Sequence, residues 1–322
     1  MLLKKLGDYC IDSATLKLLI EQYEHSNAGV HLSYVHPIGR GIGFCAEFVG
    51  ALKGAAYCYE NGIRFCFQQR KRPQGWITDL GWADYFAVQL NQVDLGWLGS
   101  LNHPAPHPLL RGPFRLAAAS LLRLMSGAEY FPVSGLPRPT GKFRFGQQNV
   151  EHSDQYWSSM QNLARVLFAF NQDNRARVDS QRSLIANFCP TIAVHMRRGD
   201  KQTEAAYVPI SHYAAFVNSL ISSPEDRVVI ASDDRPAAES LARLIDPRIA
   251  VVIAAKGTGH QQSEFNQQTL ATRTAETICL FAELEILASA DHFIGTETSN
   301  IFHFVKYLRG NISCHEAKNA KV

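Results

Sequence analysis

The chemistry of this chain concentrates where an apolar run, Thr191 to Met196, stops at Arg197-Arg198-Gly199-Asp200-Lys201. A β-rich run that ends so abruptly predicts a buried parallel strand delivering polar side chains to the carboxyl edge of a sheet, where open α/β folds bind ligands. Two adjacent arginines at such an edge suit a diphosphate, because guanidinium forks donate pairwise to phosphate oxygens and keep their charge when partly buried. Asp200 can orient one arginine, and Lys201 adds a mobile point charge. Glu204, in Thr203-Glu204-Ala205-Ala206, is a carboxylate with few local partners. His195 lies two residues before Arg197, on the same strand face. The competing account is a solvated cluster of ion pairs after a strand, with His195 packed in the core.

Three further stretches carry polar groups in telling places. Pro37-Ile38-Gly39-Arg40-Gly41-Ile42-Gly43 separates a short strand from a helix. Strand, glycine loop, helix is the arrangement that brings backbone N–H groups and a helix N-terminus against phosphate. Gly39, Gly41 and Gly43 are its candidate contacts, and Arg40 is either a charge for the ligand or simply solvated. Asp233-Asp234 follows the apolar strand Val228-Val229-Ile230-Ala231. A metal pair is disfavoured there, since adjacent strand residues point to opposite faces. Gly295-Thr296-Glu297-Thr298-Ser299-Asn300 places hydroxyls at the start of the last helix, suited either to a phosphate or to plain N-capping. Among the twelve histidines only His103 and His107 have a His-x-x-x-His spacing, and Pro104 and Pro106 between them prevent a helical metal site.

His195-x-Arg197-Arg198-x-Asp200-Lys201 followed by Thr203-Glu204-Ala205-Ala206 resembles the first signature motif of the α1,6-fucosyltransferases, which include the N-glycan core and nodulation-factor enzymes. Ser232-Asp233-Asp234 is similar to that family's Thr-Asp-Asp, in which an aspartate braces the arginines. Glu283, Asp291 and Thr298-Ser299-Asn300 resemble its third motif, with Glu283 standing where the family has an aspartate and Asn300 where it has a glutamine. The family also carries a comparable glycine loop. The resemblance implies a GT-B-like α/β fold, two Rossmann-type doubly wound domains facing a cleft. It implies GDP-fucose held by Arg197, Arg198, His195, Gly39, Gly41, Gly43, Asp234, Glu283, Thr298, Ser299 and Asn300. It also implies inverting transfer of fucose to a glycan hydroxyl, α1,6-linked, with no metal and no cofactor beyond the donor. Glu204 is then the expected base, aided by Lys201, with Asp200 the alternative and Arg198 neutralising the leaving group. The shorter arginine core would equally serve an α1,2- or protein O-fucosyltransferase, and a non-catalytic nucleotide-sugar-binding protein is the reading outside enzymes.

The elements that must position these groups alternate along the chain. A helix is predicted over 13–24 capped by Asp12 or Ser13, then strands over 30–35 and 63–68 flanking a helix over 45–61. Residues 71–139 read as an irregular insertion containing a helix over 115–125. Its Trp76, Trp82, Trp97, Tyr85 and Phe86 serve either as packing material or as platforms for sugar rings, and packing is the better account. Helices over 155–170 and 174–188 end at Cys189-Pro190. Strands over 191–196, 227–232, 249–254 and 291–295 then alternate with helices over 211–221, 235–245, 273–290 and 300–308, while 255–270 reads as a loop. This gives an N-terminal domain 1–186, carrying the glycine loop and the expected acceptor side, and a C-terminal nucleotide-sugar domain 187–322.

With 322 residues, 46% hydrophobic and 19% charged, the chain has material for two cores, and a net charge of +3 argues against nucleic acid. Seven scattered cysteines without a Cys-x-x-Cys pair indicate neither a zinc site nor a disulfide framework. No apolar run suits a signal peptide or membrane helix, so the sequence predicts a soluble, cytoplasmic protein. Nothing in it specifies an oligomeric state.

Overall fold

The computed structural model describes residues 12–39, 41–68, 75–78, 81–93, 120, 129–130, 138–146, 155–198, 207–255 and 262–317. The chain forms two compact units, residues 12–172 and 173–322. The helix predicted over 115–125 lies outside the described residues apart from Ser120, as do Trp97, Arg40 and the segment 199–206.

In the N-terminal unit, helix α1 (Ser13–Ala28) starts at Asp12, whose carboxylate accepts from the N–H groups of Ala14 (3.1 Å) and Thr15 (2.9 Å). Strand β1 (Leu32–Pro37) leads through the glycine loop to α2 (Phe44–Asn61) and then to β2 (Arg64–Gln68). Two short strands, β3 (Gln92–Val93) and β4 (Glu129–Tyr130), complete an all-parallel sheet in the order β3-β2-β1-β4. Helix α3 (Gln155–Leu167) packs on α1 and α2. The insertion's aromatic residues are core: Trp76, Trp82, Tyr85 and Phe86 are all buried. Trp82 stacks on Phe67 with centroids 4.6 Å apart, and Phe44 meets Trp76 edge-on at 4.9 Å. Packing therefore wins over sugar platforms for these four.

The C-terminal unit contains α4 (Gln172–Ile185), β5 (Ile192–Met196), α5 (Ile210–Leu220), β6 (Arg227–Ser232), α6 (Arg235–Ala242) and β7 (Ala250–Ala255). It continues with α7 (Gln262–Gln267), α8 (Leu270–Ser289), β8 (His292–Gly295), α9 (Asn300–Leu308) and β9 (Cys314–Glu316). Every residue of β5 is buried, as expected of a central parallel strand covered by helices on both faces. The sheet is wholly parallel, in the order β7-β6-β5-β8-β9, with Ile192 opposite Val228 on one side and His292 on the other. Its core joins Ile192, Val194 and Met196 to Val228 and Ile230, and to Tyr213, Val217 and Leu241 from the covering helices. Helix α4, which the sequence places before a boundary at residue 186, is tied into this unit. Arg175 donates to Glu285 of α8 (2.7 Å), and Cys279 of α8 donates to Gln181 (3.4 Å).

Strands β3 and β4 lie in the stretch read as an irregular insertion, and in the C-terminal unit two further elements depart from the sequence reading. A helix, α7, occupies part of the stretch read as loop, nucleated around the single buried Phe265. The strand β9 was not expected, because Cys314-His315-Glu316 has no pattern of its own and is a strand only through pairing with β8. None of the described helices is long and apolar enough to cross a membrane.

Candidate functional site

In the C-terminal sheet the connections run outward from β5 through β6 to β7, then return to β8 on its other side. The order therefore reverses between β5 and β8, the place where open α/β sheets leave a crevice beyond their carboxyl ends. The chain segments leaving β5, β6 and β8 there are Arg197-Arg198, Asp233-Asp234 and Thr296–Ser299.

Asp233 organises the first two. Its Oδ2 accepts from Arg197 Nη1 (2.6 Å) and its Oδ1 from the Arg198 backbone N–H (2.7 Å). One carboxylate thus fixes both the direction of the Arg197 side chain and the path of the main chain after β5. Next to it, the Ser232 hydroxyl donates to the Met196 carbonyl (2.8 Å) and accepts from the Asp234 N–H (3.1 Å), locking the ends of β5 and β6 together. The bracing aspartate is therefore Asp233. Asp234, expected among the donor contacts, is the N-cap of α6, its Oδ1 accepting from the Ala237 N–H at 3.1 Å. Pro236 in the first turn suits this start, having no N–H to lose.

The two arginines separate. The Arg197 side chain keeps 18% of its surface exposed, which leaves it a face toward solvent. Arg198 is buried and turns back along the chain: its Nη2 donates to the Val208 carbonyl (3.0 Å), and its guanidinium lies 4.7 Å from the Tyr207 ring centroid. The Tyr207 hydroxyl in turn donates to the Arg198 carbonyl (2.6 Å). Arg198 was expected to neutralise a leaving group; in the structure its Nη2 is engaged by the Tyr207–Val208 segment, while its Nε is buried with no hydrogen-bond partner among the described residues. Gly199, Asp200, Lys201 and Glu204 lie outside the described residues.

His195 is buried at the end of β5, its Nδ1 3.5 Å from Ser299 Oγ. Burial, reinforced by the nearby Arg197 charge, pushes the imidazole pKa down to about 3, so the ring is neutral at ordinary pH. Ser299 occupies the N-cap position of α9, yet its hydroxyl makes no capping bond and faces His195 instead. Thr298 and Asn300 are exposed, and the Thr298 hydroxyl donates to that of Thr296 (3.4 Å). The turn is held by the Ser299 N–H donating to the Thr296 carbonyl (2.9 Å) and by His303 Nε2 donating to the Glu297 carbonyl (2.8 Å). Gly295 lets α9 approach the sheet: a Cβ there would lie 2.8 Å from Phe302. Glu283 is partly buried on α8, between Ala282 and Leu284, which are fully buried. Tyr213 of α5 is buried in the core, and burial pushes its phenol up to about 12.

At the sheet edge this assembles a braced guanidinium, a neutral imidazole, and a helix N-terminus whose cap hydroxyl is not used for capping. Such a set is chemically suited to an anion of phosphate type, through charge-assisted hydrogen bonds and the N-terminal helix dipole. Among the described residues no group of three His, Cys, Asp or Glu side chains could hold a metal ion, and the described cysteines are free thiols.

In the N-terminal unit Gly39 and Gly41 adopt φ of 67° and 77°, conformations that favour glycine. Gly43 is the extended N-cap of α2. The N–H of Gly39, one of the expected loop contacts, donates to Glu47 Oε2 at 2.8 Å. Glu47 escaped the sequence reading. The signal was present as a lone carboxylate in the apolar run Phe44-Cys45-Ala46-Glu47-Phe48-Val49.

No protein-family model matches the sequence, and comparison with the curated proteins gives no match either. Among solved structures, a mutant of FUT1 from Arabidopsis thaliana in complex with GDP is similar over 98% of this chain and 78% of its own. The TM-score is 0.51 at 9% sequence identity. The fold is GT-B-like. POFUT1 in complex with GDP follows at a TM-score of 0.48 and 12% identity, over 91% of this chain and 99% of that one. The fucosyltransferase NodZ from Bradyrhizobium stands at 0.47 and 14%, over 88% and 94%. What the FUT1 comparison shows is a shared fold; the chemistry has to come from the residues.

Proposed function

We propose that this chain is a glycosyltransferase that moves fucose from GDP-fucose to a glycan hydroxyl, forming an α1,6 linkage with inversion. The observation that carries the reading is Arg197, held by Asp233 at the carboxyl end of β5 and adjoining the His195–Ser299 pair at the start of α9. Support for the donor comes from the FUT1 structure of the same fold, which was determined in complex with GDP. Support for the linkage comes from Thr203-Glu204-Ala205-Ala206, which resembles the α1,6 motif.

In this reading the bond between fucose C1 and the β-phosphate oxygen breaks, and its electron pair leaves with GDP. Arg197 and the start of α9 stabilise the charge growing on the phosphate, the role a metal ion plays in other glycosyltransferases. His195 stays neutral through burial, so it adds no competing charge beside the phosphate and presents ring nitrogens for hydrogen bonding. The acceptor oxygen bonds to C1 from the opposite face, and its proton passes to Glu204, aided by Lys201, with Asp200 the alternative base. The reaction needs no cofactor beyond the donor.

The test is GDP release from GDP-fucose, with chitooligosaccharides and an N-glycan core as acceptors and EDTA present throughout. Wild type turns over, and Arg197→Ala and Glu204→Gln each lose nearly all activity while remaining folded. Linkage analysis of the product reads out the α1,6 assignment. Full activity in Glu204→Gln would overturn the base, and no binding or turnover of GDP-fucose by wild type would overturn the donor.

A further inference from the structure

Glu47 stands on the first turn of α2 with no surface exposed, an uncommon position for a carboxylate, since burying one is costly unless it is well supplied with donors. Donors reach it from two separate parts of the chain. Its Oε2 accepts from the Gly39 N–H at 2.8 Å, just beyond the end of β1, and from the Trp76 indole N–H at 2.9 Å. Trp76 is itself held from behind, the Tyr85 hydroxyl donating to its carbonyl at 2.9 Å and Phe44 packing against its ring. A second contact joins the same segments without side chains. A Cβ on Gly75 would lie 3.4 Å from the Gly41 Cα and 3.5 Å from the Ile42 carbonyl oxygen, so Gly75 sits close against the glycine loop at Gly41 and Ile42.

We propose that Glu47 is a positioning residue for the Gly39–Gly43 loop, tying it through Trp76 to the chain at 75–78 so that the loop is already set for a nucleoside diphosphate. This rests on the nucleotide-sugar reading given above. The loop needs such a tie. Gly39 and Gly41 have positive φ, and glycine has more backbone freedom to lose than any other residue. A loop left to its own propensities would sample many conformations, and binding would be weakened by the population outside the competent one. The bond from Gly39 to Glu47 also divides the loop's labour: the Gly39 amide is committed to the protein, so contact with phosphate falls to the residues after it.

The experiment compares wild type with Glu47→Gln, Glu47→Leu and Trp76→Phe. GDP affinity is measured by titration calorimetry, and amide hydrogen exchange is followed over residues 38–48. Glu47→Gln keeps an acceptor oxygen, and it retains wild-type exchange and affinity. Glu47→Leu removes the acceptor of the Gly39 N–H and the Trp76 indole N–H, so exchange over 38–48 rises and GDP binds about tenfold more weakly. In turnover with GDP-fucose the loss falls on the donor KM, with kcat and the acceptor KM little changed. Trp76→Phe keeps the ring but removes one donor; it shows the same change to a smaller degree and guards against a Leu variant that fails to fold. A folded Glu47→Leu or Trp76→Phe with wild-type exchange and affinity would overturn the proposal while leaving the donor reading intact. No GDP binding by the wild type would instead overturn the donor reading, and exchange over 38–48 would then decide whether Glu47 braces the loop.

Discussion

Asp233 and Arg197 form an ion pair at 2.6 Å in which the carboxylate side chain is the more buried partner, 8% exposed against 18%. The aspartate is therefore the fixed member, held from within by the Arg198 N–H, and the arginine is the member it aims. Asp233→Asn keeps the size and one acceptor oxygen but removes the charge. It should lower kcat/KM roughly ten- to hundredfold, the worth of a hydrogen bond to a charged group. Asp234→Ala removes the α6 cap instead, which should cost about 1 kcal/mol of stability with turnover near wild type. Urea unfolding beside steady-state GDP release separates the two. An Asp234 variant that loses turnover while Asp233→Asn keeps it would reverse the assignment.

His195 predicts an acid-side loss of stability. Its pKa is held at about 3 in the folded protein, first by burial and then by Arg197, whereas an unfolded histidine titrates near 6.5. The unfolded chain therefore binds the extra proton between those values, and stability rises with pH across that window. The contribution is complete above about pH 6.5 and is lost progressively as pH falls toward about 3. His195→Asn should flatten this dependence relative to wild type, read as the difference in urea midpoints between pH 7 and pH 5. Parallel curves for the two proteins would mean that the imidazole titrates normally in the folded state.

The central strand and its charged edge were legible because β5 carries its own signal: five buried apolar or aromatic-ring positions ending at two arginines. The limits of β6 and α9 were legible for similar reasons, one as an apolar run ending in Asp233, the other starting after a Thr-Ser pair. What the sequence did not show depends on neighbours distant in the chain. β9 is a strand only because β8 lies beside it, and α7 is a helix of polar residues anchored by Phe265. Roles at the site escaped in the same way. The spacing shows two arginines and two aspartates, but which arginine faces outward depends on Tyr207 and Val208 folding back over Arg198. Glu47 is legible only as an anomaly, a charge in an apolar run, until Gly39 and Trp76 are brought to it.

Arg309 sets the largest expected loss of stability away from the site. Its guanidinium is fully buried and donates to the backbone carbonyls of Ile312 (3.0 Å), Ala288 (3.0 Å), Ala290 and Asp291 (2.9 Å). These include the last carbonyls of α8, where positive charge complements the helix dipole, and the turn leading into β8. Arg309→Met removes the donor to all four, two of them the buried carbonyls of Ala288 and Ala290, and should cost about 3 kcal/mol or more. Arg309→Lys, with a single ammonium in place of the fork, should recover only part of this. Urea unfolding of the two variants checks it, and a loss within 0.5 kcal/mol, the order expected of a surface change, would show that the carbonyls find other partners.

Arg197 and Arg198 should fail in different ways. Arg197 is aimed by Asp233 and keeps an exposed face, so Arg197→Ala should lower kcat by roughly a hundred- to a thousandfold, as removing a charge-stabilising donor does, with the urea midpoint near wild type. Arg198 joins β5 to Tyr207 and Val208, so Arg198→Ala should first show as lost stability, on the order of 2 kcal/mol. Activity would fall with the fraction folded. Tyr207→Phe isolates that effect, because it deletes only the hydroxyl that donates to the Arg198 carbonyl and leaves the ring beneath the guanidinium. It should reproduce part of the stability loss, about 1 kcal/mol, and change kcat less than either arginine variant. The decisive comparison is between the two arginine variants at equal fraction folded. If Arg198→Ala is as stable as wild type and inactive while Arg197→Ala still turns over, Arg198 is the phosphate ligand, and its contacts with Tyr207 and Val208 must open when the donor binds.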